Sequence, residues 1–181
     1  MEQISQREKT NMAMMTSAYA SKMLKQLEED KNFWVNKERS SCTYVAAVGE
    51  EAVIPEYDYG SVAATIAEID KKMCTIKHAI NLANVSNRVD VAGESLTIDM
   101  ILVKMAQLNQ RKAILDYMRK LQPKTRQEQS YGNRTATPEY QYINYDLNLI
   151  KQEFERVSSE IMAMQMALDK YNQTFEFEVE M

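Results

Sequence analysis

A chain of 181 residues, 45% apolar and 27% charged, holds enough material for one domain and too much apolar content for a disordered segment. Its formal charge of -4 argues against a general nucleic-acid binder, which needs a basic excess. Two cysteines, Cys42 and Cys74, suggest neither a disulfide framework nor a zinc site, and no run approaches the ~18 apolar residues of a membrane span.

In chain order, a first helix is expected over about 3–35, with Met12, Met15, Tyr19, Met23 and Leu27 on one face. Cys42-Thr-Tyr-Val-Ala-Ala-Val48 reads as a short strand over 42–48. Asp58 stands where an N-cap belongs, and Val62, Ile66, Ile69, Met73, Ile76, Ile80 and Ala83 alternate spacings of four and three, the a/d seam of a coiled-coil helix over 59–85. A strand is expected over 88–91, which could pair with another at the C-terminus. A third helix, 96–121, is capped by Ser95 or Thr97 and ended by Pro123. Its stripe of Ile98, Ile101, Leu102, Met105, Leu108, Leu115, Met118 and Leu121 is broad enough for contacts on two sides.

Residues 140–145 read as strand, and Asn144 or Asp146 caps a fourth helix over 146–172. That helix carries a second unbroken seam, Leu147, Ile150, Phe154, Val157, Ile161, Met164, Leu168 and Tyr171. Thr174-Phe-Glu-Phe-Glu-Val179 alternates as a half-buried strand does. The thirteen Met residues suit irregular helix seams. The expectation is a mainly α protein, a single elongated domain over 1–181. It is an antiparallel long-helix bundle or coiled coil with short β segments at its ends, whose apolar faces favour a homo-oligomer.

Antiparallel helices of about 24 residues, about 36 Å long, would bring residues 40–57 and 122–145 to one pole and residues 86–96 and the C-terminal strand to the other. The second pole is acidic: Asp90, Glu94, Glu176, Glu178 and Glu180 stand against Arg88. At the first, the run from Arg119 to Thr135 carries Arg119, Lys120, Lys124, Arg126 and Arg134 against Glu128 alone. Forked cations, flat phenol rings and compact amides are the groups that hold a nucleotide-like anion. The candidate ligand-binding residues are therefore Lys124, Arg126, Tyr131, Asn133, Arg134, Tyr140 and Tyr142.

Catalysis is not expected. His78 is the single histidine, beside Lys77 and off the seam, and the chain has no glycine-rich phosphate loop, HExxH or CxxC. No catalytic residue, metal or cofactor is assigned. The N-terminal stretch lacks a basic segment followed by an apolar one, so the expected setting is a reducing cytoplasm.

Pro55-Glu-Tyr-Asp-Tyr59, Ile76-Lys-His-Ala-Ile-Asn81, Met105-Ala-Gln-Leu-Asn-Gln-Arg-Lys112, Gln122-Pro-Lys-Thr-Arg126, Pro138-Glu-Tyr-Gln-Tyr-Ile-Asn-Tyr-Asp146 and Ala167-Leu-Asp-Lys-Tyr-Asn-Gln-Thr174 stand out as strings. Over roughly residues 20–181 they resemble an uncharacterised family of bacterial and phage coiled-coil proteins, labelled tropomyosin-like or septicolysin-like. The resemblance implies a helical fold and a bacterial or phage setting, and supplies no catalytic residue. Three functions are in play. One is a binding protein that sequesters a small nucleotide-like anion, in the manner of phage sponges against bacterial immune signals. The others are a structural or adaptor coiled coil without a small ligand, and a hydrolase acting on such ligands.

Overall fold

The computed structural model describes residues 12–127 and 138–180. Among them the protein is mainly helical, with four helices and three two-stranded antiparallel sheets. The chain divides into two compact units, Met1–Asn87 with Asp169–Met181, and Arg88–Leu168.

In the first unit, strand β1 (Met12–Thr16) leads into helix α1 (Ser17–Ser41). Of the helix expected over about 3–35, residues 3–11 lie outside the described residues and 12–16 are not helical. Instead Thr16 stays extended and its side chain accepts the Tyr19 N–H at 3.2 Å, an N-cap that starts the helix at Ser17. β1 pairs with the C-terminal strand β6 (Glu176–Glu180), Met12 opposite Glu180 and Thr16 opposite Glu176. Their alternation turns Met15, Phe177 and Val179 into the core and leaves Met14, Glu176 and Glu178 outside.

Helix α2 (Tyr59–Ser86) begins where its sequence indicates, the Asp58 carboxylate accepting the Ser61 N–H at 2.7 Å. It runs antiparallel to α1: Lys31 meets Asp70 at 2.6 Å, and the Tyr57 hydroxyl beside the start of α2 donates to Glu38 near the end of α1 at 3.3 Å. Val62, Ile69, Ile76 and Ala83 are buried at every seventh position, and Ile76 and Ala83 join Met15, Ala20, Phe177 and Val179 in one cluster. The expected strand over 42–48 does not form. Val45 and Val48 are fully exposed, because β-prone residues hold a strand only against a partner, and no strand pairs with this stretch among the described residues.

The second unit opens with a hairpin of β2 (Arg88–Val91) and β3 (Glu94–Thr97). This corrects the suggested pairing of 88–91 with the C-terminus. Ala92 and Gly93 both have positive φ, 51° and 87°, and such a two-residue turn folds β2 back onto its own neighbour while β6 takes β1. Helix α3 (Ile98–Met118) follows, with Thr97 at the N-cap; the Thr97 hydroxyl is turned to Asp99 and makes no cap to the backbone. Helix α4 (Leu147–Thr174), whose last turns belong to the first unit, starts at Asp146, which accepts the Asn148 N–H at 2.8 Å.

Within this unit α3 and α4 run antiparallel, Lys104 bridging Glu160 at 3.2 Å and Arg119 lying 4.0 Å over the Phe154 ring. Leu115, Ile150 and Val157 form their core, with Leu108, Phe154 and Ile161 half-buried against it. Every residue of the α4 seam is buried or half-buried. The broad stripe of α3 is covered on one side only: Ile98, Ile101 and Leu115 are buried, whereas Leu102 is exposed. Among the described residues no helix is long and apolar enough to cross a membrane.

Candidate functional site

After α3, a turn over residues 119–121 and Pro123 redirect the chain into β4 (Lys124–Arg126), which pairs with β5 (Tyr140–Tyr142). The Gln127 N–H donates to the Glu139 carbonyl at 2.9 Å and the Ile143 N–H to the Pro123 carbonyl at 3.3 Å, extending the ladder at both ends. The strand expected over 140–145 is thus three residues long, because Asp146 begins a helix cap just beyond it. The half-buried Tyr145 hydroxyl donates to the Met118 carbonyl at 2.6 Å, a second hydrogen bond beside that of the Leu121 N–H at 3.2 Å, and roots the hairpin on the helix pair.

The register sets Lys124 opposite Tyr142 and Arg126 opposite Tyr140, with Thr125 opposite Gln141. Residues facing each other across a ladder, and those two apart along a strand, share a face. Four expected site residues, Lys124, Arg126, Tyr140 and Tyr142, therefore lie on one face of the hairpin. The Lys124 ammonium sits 4.0 Å from the Tyr140 ring centroid and 5.5 Å from that of Tyr142. An exposed contact of this kind contributes about 0.5–1 kcal/mol, less than the roughly 1.5–3 kcal/mol of a charge-assisted hydrogen bond. The ammonium is thus prepositioned without being committed. Tyr131, Asn133 and Arg134 lie outside the described residues.

The cationic surplus read from the sequence is smaller in space. Asp116 accepts from Lys120 and Arg119, the latter at 2.8 Å, and the Lys120 hydrogen bond, followed by that of Arg119, holds its carboxyl below the usual carboxylate range. Arg119 and Lys120 therefore stabilise the end of α3. A count beginning at Arg119 omits Asp116, although spacings of three and four from an acid to two cations signal this pairing on a helix.

Residues 40–57, expected at the same pole, belong to the first unit, and the hairpin belongs to the second. The first unit has an open groove of about 440 Å³, lined among others by Met14, His78, Leu82, Phe175, Glu176 and Glu178. His78 is exposed there, as its position off the seam implies. Carboxylates edge this groove, so its charge opposes an anion.

Comparisons with protein-family models, curated proteins and solved structures return no match for this chain. The class defined by the fold is a mainly helical protein of two compact units, and its candidate site is a cationic, phenol-bearing hairpin.

Proposed function

We propose that the chain is a non-enzymatic, self-associating binding protein that sequesters a small nucleotide-like anion, with the β4–β5 face supplying its cations and rings. One observation carries the reading: the hairpin register gathers Lys124, Arg126, Tyr140 and Tyr142 on one exposed face. Arg126 offers a fork to phosphate, Lys124 a point charge, and the two phenols flat surfaces for a base. The coiled-coil reading of the scaffold draws support from burial at seven-residue intervals in α2 and at Ile150, Val157, Met164 and Tyr171 of α4. A role as a sponge is an analogy of activity drawn from the cationic, phenol-bearing site, and only the bacterial or phage setting rests on the resemblance described above.

Calorimetry with a panel of linear and cyclic nucleotides tests the proposal. Wild type is expected to bind at least one of them, and Arg126→Glu to weaken that binding by roughly 10- to 100-fold, the loss of one charge-assisted hydrogen bond, at unchanged helicity. The ligand should be recovered unaltered after heat denaturation of the complex; a hydrolysed product would indicate an enzyme. Absence of binding across the panel would leave the second reading, an adaptor whose product is its own assembly. That alternative is favoured by the apolar side chains that α3 leaves exposed.

A further inference from the structure

Helix α3 carries a second seam, opposite the buried one. Met100, Val103, Gln107, Gln110, Ile114 and Tyr117 alternate spacings of three and four, and all six are exposed. The apolar four are 48%, 59%, 52% and 63% exposed in chain order. Ile98, Ile101, Leu108 and Leu115 meanwhile point into the unit. An ordinary surface helix has one apolar stripe. A helix with two opposite seams is built for contact on both sides.

We propose that this face binds the same face of a second copy of the chain, with the two α3 helices antiparallel about a two-fold axis between residues 108 and 109. It rests on the self-association part of the reading above and is independent of the ligand. In that register Met100 meets the partner's Tyr117, Val103 the partner's Ile114, and Gln107 the partner's Gln110, each pair occurring twice as an isologous interface requires. None of the six positions is charged. The two Gln pairs are amide against amide, so each satisfies the other. A slip of one heptad would set a Gln against an apolar residue and leave it unsatisfied, which is how a single polar seam position fixes register.

The flanks also favour a second copy. On one side Asp99 meets the partner's Lys120, a lysine already bridged to Asp116 of its own chain, again twice, and Ala106 meets the partner's Ala113, small enough for close approach of the helices. On the other, Lys104 and Arg111 would bring cations together. Lys104 is already bridged by Glu94 at 3.0 Å and Glu160 at 3.2 Å, and the Arg111 charge acts on the Glu153 carboxylate of its own chain. A parallel pairing would set Tyr117 against Tyr117.

Sedimentation equilibrium of the full chain at micromolar concentration should return a dimer or an even-numbered assembly. Val103→Glu with Ile114→Glu should weaken dimerisation on the order of 100-fold or more, since it buries four like charges. Helicity should be kept, because both positions are exposed in one chain. In a background with Cys42→Ser and Cys74→Ser, Val103→Cys with Ile114→Cys should give a covalent dimer on mild oxidation. Val103→Cys alone should not, its copy lying about 16 Å away along the helix axis. A monomeric wild type would overturn this interface and self-association together. An assembly indifferent to the double Glu variant would overturn the interface alone. Efficient cross-linking by Val103→Cys alone would overturn the antiparallel register. Nucleotide binding by a monomeric variant would leave the ligand reading standing.

Discussion

Tyr171 shows how a seam residue can carry a polar tip. Its ring stacks on Phe175 at 4.9 Å between centroids and is buried, while its hydroxyl donates to the Ala83 carbonyl at 3.3 Å. Burial pushes its pKa above the ordinary phenol value of about 10, partly offset by a hydrogen bond with Asn87. A pKa raised on folding gives stability that is complete below the unfolded value and lost as pH rises through the folded one. Urea titrations should therefore show wild type losing stability above about pH 10, and Tyr171→Phe losing less over the same interval. At neutral pH the variant should be about 1 kcal/mol less stable, the net worth of one hydrogen bond. A phenylalanine variant with an unchanged alkaline limb would assign that limb elsewhere, Tyr57 first, whose pKa desolvation and then Glu38 also raise.

At the scale of elements, local signals were legible and distant ones were not. The α2 and α4 seams and the Asp58 and Asp146 caps lie within their own windows, and the structure returns them nearly unshifted. β1 was not legible, because Met and Ala favour helices and the strand's only reason to extend is a partner at the far end of the chain. The stripe expected for α3 leaves out Met100, Val103, Ile114 and Tyr117, whose seam is interrupted by Gln107 and Gln110 and so does not stand out as an apolar repeat. In the site, residues 127–139 separate β4 from β5 in the chain, so the sequence could name the residues and not their shared face. Ala92 offers a test at this scale. Its φ of 51° costs a non-glycine residue about 1–2 kcal/mol, and Asn tolerates that region. Ala92→Asn, giving an Asn-Gly turn, should stabilise the β2–β3 hairpin by about 0.5–1 kcal/mol and raise Tm. A lowered Tm would show that the turn is held by something other than its local conformation.

For the molecule as a whole, the pairing of β1 with β6 matters most, since it closes the first unit with strands from opposite ends of the chain. Phe177 and Val179 do not merely finish α4; they complete the cluster begun by Met15, Ala20, Ile76 and Ala83. Such non-local contacts carry a loop-closure cost that the apolar burial they bring must offset. Phe177→Ala should then cost about 3–5 kcal/mol, its transfer energy plus the cavity left between strand and helices. Glu178→Gln, one position along on the outward face, should shift stability by no more than about 0.5 kcal/mol. The contrast is the measurement, read from urea midpoints at constant m-value. Equal effects from the two substitutions would mean that the alternation of inward and outward side chains in β6 does not set the core of the unit, and that the strand is held by its backbone ladder alone.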